Sequence, residues 1–164
     1  MSEKKEELKL EVVYKVLGVG VRCVCIVASG DAFAVAMGGF DPALIRSDSQ
    51  RVESMFCGHR HVVTSIDEHP SGAYFATGCS DRKVRLFERT GSLVWAKSEH
   101  RDVVRCVQFS LDGALLASCS DDNTIRLWSV PGGAMVRQLN GHTNGVFAVA
   151  FSPDGHTLLT GSFD

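Results

Sequence analysis

Ala76-Thr77-Gly78-Cys79-Ser80-Asp81-Arg82-Lys83-Val84-Arg85-Leu86-Phe87 lines up with Ala117-Ser118-Cys119-Ser120-Asp121-Asp122-Asn123-Thr124-Ile125-Arg126-Leu127-Trp128 at a constant offset of 41 residues. The same period spaces Gly58-His59, Glu99-His100 and Gly141-His142, which stand 41 and then 42 residues apart. One repeating unit therefore governs the chain from Gly58 onward. Inside each unit lies a turn signal, Pro70-Ser71-Gly72, Leu111-Asp112-Gly113 or Pro153-Asp154-Gly155, suited to a tight reversal between two strands. Short β-rich segments precede the turns (Val62 to Ile66, Val103 to Phe109, Val146 to Phe151) and follow them (Ala73 to Thr77, Ala114 to Ser118, Thr157 to Thr160). A third strand ends at Leu86-Phe87 or Leu127-Trp128, and Leu93 to Ala96 or Met135 to Leu139 supplies a fourth.

Four strands in a period of about 40 residues, opening on Gly-His and closing near an aromatic, is a propeller-blade pattern. At these residues the chain resembles the WD-repeat β-propeller family, strongly from Gly58 and weakly before it. The resemblance implies an all-β fold, a β-propeller of four-stranded antiparallel blades in an incomplete ring of about three and a half blades. Residues 1–11 are expected as a solvated tail, 12–57 as a divergent first blade, 58–98 and 99–140 as full repeats, and 141–164 as a truncated repeat. In the divergent blade Met37 to Asp41 matches Thr77 to Asp81, but Ser47 takes the aromatic position. Leu8 to Leu17 would be an additional outer strand, on family precedent alone.

The resemblance casts His100, Ser118, Asp122 and Trp128 as a structural tetrad, whose side-chain bonds satisfy buried polar groups. The other repeats carry His59, Thr77 and Asp81, and His142, Thr160 and Asp164; Phe87 replaces the tryptophan and cannot donate an indole bond. A Ser118, His100, Asp122 hydrolase triad uses the same residue types. Repetition of the trio and the lack of a G-x-S-x-G elbow argue against it, so no catalytic residue is expected.

Composition narrows the remaining classes. Seventeen Lys plus Arg against nineteen Asp plus Glu leave a net charge of −2, so no broad basic footprint exists for nucleic acid or an anionic membrane. Arg22 interrupts the apolar stretch from Val16 to Gly30, which is too short for a spanning helix. Lys15 and Arg22 spoil a signal peptide. Six cysteines without a C-x-x-C pair favour a reducing intracellular compartment, cytoplasm or nucleus. Cys23 and Cys25 lack a second ligand pair, so they read as core thiols; no metal and no cofactor is expected. Gly18-Val19-Gly20 has no third glycine at dinucleotide-binding spacing. Alternation puts Arg85 on the face of Phe87 and Arg126 on that of Trp128, with stems between blades and charged heads in solvent.

A propeller frees the loops on its flat faces to bind, so the expected function is a non-enzymatic scaffold for other proteins or peptides. Family precedent places contacts three and five residues after the tetrad histidine and just before the tetrad aspartate. Here these are Val62, Thr64 and Ser80; Val103, Arg105 and Asp121; and Gly145, Phe147 and Phe163. Phe147 and Phe163 either anchor a partner beside an arginine or fill the space between blades. A narrower alternative is the substrate-recognition part of a ubiquitin-ligase assembly. Neither Trp128-Ser129-Val130-Pro131 nor Phe87-Glu88-Arg89-Thr90 carries the adaptor-docking pattern of some WD-repeat receptors, an acid after the aromatic and a basic residue two places later. Three and a half blades cannot close a ring, so the sequence reads as a truncated product, a self-associating half-ring with open edges, or a short splice form.

Overall fold

A computed structural model describes residues 21–27, 30–37 and 41–164. The expected tail, the Leu8 to Leu17 strand and Gly18 to Gly20 lie outside the described residues. Fourteen described strands form four antiparallel sheets, each strand pairing with the next in sequence. The first comprises β1 (Val21–Ile26), β2 (Ala32–Met37), β3 (Ala43–Arg46) and β4 (Val52–Met55). The second comprises β5 (Val63–Glu68), β6 (Tyr74–Cys79), β7 (Val84–Glu88) and β8 (Leu93–Lys97). The third comprises β9 (Val104–Phe109), β10 (Leu115–Ser120), β11 (Ile125–Ser129) and β12 (Met135–Leu139). A two-stranded sheet follows, β13 (Val146–Phe151) and β14 (Leu158–Ser162).

The sheets are blades of an unclosed propeller. Their first strands, β1, β5, β9 and β13, are successive neighbours and form its inner side. The second strands β6 and β10 are buried on both faces, which is why β10 reads Leu-Leu-Ala-Ser-Cys-Ser without clean alternation. β12 lacks alternation for the opposite reason, since it is the outer, solvent-facing strand of its sheet. Each first hairpin turns on a glycine with positive φ: Gly72 at 74°, Gly113 at 73° and Gly155 at 72°, a conformation open to glycine without steric cost. The sequence boundaries at Gly58, Glu99 and Gly141 fall in the connections between sheets.

Core residues fill the gaps between blades. Phe56, Phe75 and Phe87 join the first two sheets, with Phe56 ring centroids 5.1 Å and 5.4 Å from the other two. Val104, Leu116 and Trp128 join Leu86 and Val84 between the second and third. Cys119, Ile125, Val146 and Val149 join the third and fourth. Burying a side chain of this size stabilises by roughly 1.5–3 kcal/mol.

Polar staples reinforce the same gaps. Val107 N–H donates to Ser65 Oγ at 3.2 Å, Phe109 N–H to Asp67 at 2.8 Å, and Phe151 N–H to Gln108 Oε1 at 2.8 Å. Ser54 Oγ donates to the Arg89 carbonyl at 2.8 Å, and Trp95 Nε1 to the Pro131 carbonyl at 2.7 Å. In each bond the side chain belongs to the earlier sheet and the backbone group to the later one.

Candidate functional site

The third sheet holds a complete tetrad. Trp128 Nε1 donates to Ser118 Oγ at 2.9 Å, Ser118 Oγ stands 2.8 Å from His100 Nε2, and His100 Nδ1 stands 3.0 Å from Asp122. Asp122 is an acceptor only, so Nδ1 carries the proton and Nε2 receives the serine hydroxyl; the chain of donors is then consistent from indole to carboxylate. Burial lowers the His100 pKa and outweighs the opposing pull of Asp122, which keeps the ring neutral. Burial alone would raise Asp122, but bonds from Thr124, the Arg101 backbone and His100 hold it well below the usual range.

Distances alone would suit a hydrolytic triad. Yet Ser118 has no exposed surface, and its oxygen already accepts the indole N–H. The bonds close the network on itself and present nothing to a substrate.

The other tetrads are partial. His142 Nε2 stands 2.8 Å from Thr160 Oγ1 and Nδ1 2.9 Å from Asp164. In the second sheet His59 Nε2 meets Thr77 Oγ1 at 2.8 Å, and Phe87 lies beside the histidine at 5.6 Å between centroids. There the expected acid is displaced: His59 Nδ1 bonds Asp41 of the first sheet at 3.0 Å instead of Asp81. Asp41 also accepts the His59 N–H at 3.0 Å. The chain has no histidine before His59, so Asp41 finds no ring in its own repeat and takes the next one.

Asp81 is held by Arg85, at 3.1 Å from NH1 to Oδ1. Arg126 pairs with Asp122 in the equivalent place at 3.0 Å and also lies against His100 Nδ1. Arg85 is 3% exposed and Arg126 5% exposed, so the expectation of wet guanidinium heads is corrected. Burial would raise Asp81, but the Arg85 bonds hold its carboxyl down at about 2. Each arginine follows its aspartate by four residues, one turn and half a strand later. That repeated Asp-x-x-x-Arg spacing was the sequence signal for the pairs.

The contact positions from family precedent separate into two groups. Thr64, Arg105 and Phe147 are each the extra residue of a β-bulge at the start of an inner strand, skipped between Val63/Ser65, Val104/Cys106 and Val146/Ala148. A bulge re-aims one side chain out of the ladder. Arg22, skipped between Val21 and Cys23, holds the same place in the first sheet and is exposed; sequence reasoning did not single it out.

Around Arg105 these positions converge. Its guanidinium grips Asp121 with two Nε contacts at 2.8 Å and 2.9 Å and lies 5.3 Å above the Phe147 ring. Phe163, 79% exposed, packs on Phe147 at 4.6 Å between centroids. Gly145 keeps this approach open, since a Cβ there would stand 3.0 Å from Asp121 Oδ1. Val62, Thr64 and Ser80 are half-buried, and the hydroxyls of Thr64 and Ser80 are taken up by backbone carbonyls. Ser80 Oγ donates to the Val62 carbonyl at 3.0 Å, and Thr64 Oγ1 donates to Gly78 O at 3.0 Å and to Val104 O. Val103 is half-buried, its carbonyl accepting the Asp121 N–H at 3.0 Å.

Among the described residues no group of His, Cys, Asp and Glu has a metal-binding arrangement, and no helix is long and apolar enough to cross a membrane.

Comparison with known proteins follows this geometry. The family model "WD domain, G-beta repeat" matches residues 50–88, 91–129 and 133–164, more than half of the chain. Each matched segment begins just before the outer strand of one sheet and runs through the first three strands, or the two present, of the next. The chain is 41% identical over 88 residues to "WD repeat and SOCS box-containing protein 1" of Danio rerio, covering 52% of this chain and 21% of that protein. It is 36% identical over 103 residues to "Guanine nucleotide-binding protein subunit beta-5b" of Danio rerio, covering 61% and 26%. It is 35% identical over 112 residues to "WD repeat-containing protein 1" of Gallus gallus, covering 65% and 18%. The chain thus spans about a quarter or less of the length of these relatives.

Proposed function

We propose a function that starts from kinship: the chain belongs to the WD-repeat family, generally non-enzymatic interaction scaffolds, and it acts as a binding module for other proteins or peptides. The observation that carries this reading is the exposed pair Phe147 and Phe163 beneath an arginine already clamped by Asp121. Aromatic residues and arginine dominate binding hot spots, and a clamped guanidinium loses little further freedom on binding. Arg22, Arg105 and Phe147 extend this surface along the bulged ends of the inner strands. The closed, buried tetrad favours a structural role for Ser118 and His100 over a hydrolytic one.

The proposed partners exclude nucleic acid and membrane, on the chain's balanced charge. Self-association through blade edges is a further part of the proposal. We place the protein in the cytoplasm or nucleus. A second reading, the substrate-recognition part of a ubiquitin-ligase assembly, draws on the likeness to a relative whose name includes a SOCS box.

The test compares proteins captured by the wild type with those captured by Arg105→Ala and Phe163→Ala. Hot-spot loss is about 2 kcal/mol or more, some thirtyfold in affinity. Loss of a shared set of partners at an unchanged melting temperature supports the reading. An unaltered set in both variants overturns it.

A further inference from the structure

Cys106 on β9 and Cys119 on β10 are direct cross-strand partners in the ladder of the third sheet. Residues directly opposite on antiparallel strands have Cα atoms about 4.5–5.5 Å apart. A disulfide accepts about 4.4–6.8 Å. The corresponding pairs elsewhere are Cys23 with Ala36, Ser65 with Gly78 and Ala148 with Gly161, so among the described residues this blade alone opposes two thiols there.

The two sulfurs stand in different surroundings. Ser65 Oγ of the preceding sheet donates to Cys106 Sγ at 3.9 Å, and the neighbouring Cys119 thiol and the Val149 N–H of the next sheet are the other groups that favour its ionised form. As a thiol Cys106 instead donates to the Val107 carbonyl at 3.8 Å. The Cys119 bond, the largest influence, lowers the Cys106 pKa against burial and the nearby Asp67 charge. Cys119 is raised by giving up that bond, by burial and by Asp121. Cys23, Cys25, Cys57 and Cys79 are all raised, burial first among the causes.

We propose that Cys106 and Cys119 form a dithiol modification site for hydroperoxides, with Cys106 as the attacking sulfur and Cys119 as the resolving one. The Cys106 thiolate attacks the outer peroxide oxygen, the O–O bond breaks, and the leaving alkoxide takes up the proton that Cys106 gave up. Cys119 sulfur then attacks the resulting sulfenic acid, the S–S bond forms, and hydroxide departs with the Cys119 proton as water. Two thiols are oxidised by two electrons in all, and one hydroperoxide becomes one alcohol and one water. Cys106 is half-buried, so the oxidant must be small. Oxidation changes the sulfur to which Ser65 Oγ donates, so it acts where the third sheet meets the second.

Tryptic peptide 106–126 contains both sulfurs and no other cysteine. The folded full chain is treated with hydrogen peroxide, alkylated after denaturation and digested. The expected result is a 106–126 peptide two hydrogens lighter and closed to alkylation, formed about tenfold faster than any oxidation of exposed Cys57, and reopened by a small dithiol. Cys119→Ser should stop at a Cys106 sulfenic acid that dimedone traps, whereas Cys106→Ser should leave Cys119 a thiol. The wild-type measurement needs no variant to fold. Cys57 reacting first, with peptide 106–126 recovered fully alkylated, overturns the proposal.

Discussion

Replacing Trp128 by phenylalanine isolates one bond of the complete tetrad. Trp128 and Ser118 have no exposed surface, and the indole N–H meets Ser118 Oγ at 2.9 Å. The substitution leaves a buried oxygen short of a donor, at about 1–3 kcal/mol. The smaller ring also opens a cavity between the second and third sheets, adding about 1 kcal/mol. A total of about 2–4 kcal/mol, at about 2–4 °C per kcal/mol for a chain of this size, lowers the melting temperature by about 5–15 °C. Urea unfolding followed by far-ultraviolet circular dichroism is the assay, since only Trp95 would remain as a tryptophan reporter. Ser118→Ala separates the two contributions. With the hydroxyl gone there is no acceptor to strand, so the double variant loses less than the sum of the singles by about 1 kcal/mol or more. An unchanged midpoint in Trp128→Phe, or strict additivity in the double variant, would refute the role given to this bond.

Three further outcomes follow from the same geometry. Asp81→Ala strands the buried Arg85 charge and costs about 3–5 kcal/mol, whereas Asp41→Ala removes a half-exposed partner of His59 and costs about 1 kcal/mol; urea midpoints in the reverse order would show that the acids are misassigned. Arg105→Ala leaves the melting temperature within about 2 °C, because its ion pair is exposed, while Asp122→Ala lowers it markedly; equal loss of folding in both would sink the division between binding face and tetrad. Burial raises Asp67 to about 6 in the folded chain from 3.8, so its ionisation costs stability as pH rises through 6, and the cost is absent below 3.8. Asp67→Asn still accepts the Phe109 N–H without the charge, so it raises the melting temperature at pH 7.5 and gains little at pH near 4; an equal gain at both pH values would contradict the shift.

The repeat was legible because its markers are local. From Gly58 onward, tight turns, a histidine before each inner strand and an aromatic closing the third strand of each full repeat keep their spacing whatever packs around them. Strand alternation also placed Arg85 and Arg126 on the correct face, but it carries no information about what stands opposite. Their burial depended on Asp81 and Asp122 reaching across a turn. The exchange of Asp81 for Asp41 at His59 was illegible for a stronger reason, since it arises between two sheets whose relative placement no single repeat encodes. Arg22 escaped because the first sheet is stretched: it lies 42 residues before Thr64, while Asp41 lies 40 before Asp81. The bulges that re-aim Arg22, Thr64, Arg105 and Phe147 are register events, visible only once strands are paired.

The staples between blades give the molecule a polarity. Ser65, Asp67 and Gln108 reach forward to peptide groups of the following blade, and Ser54 and Trp95 do the same at the outer side. In these five bonds the receiving blade contributes amides and carbonyls, which any sequence supplies, while the specifying side chains sit on the blade before it. Grafting a foreign blade downstream of Gln108 therefore asks little of the newcomer beyond its shape and its apolar face. Grafting one upstream asks it to carry the hydroxyl and the carboxylate at the correct positions.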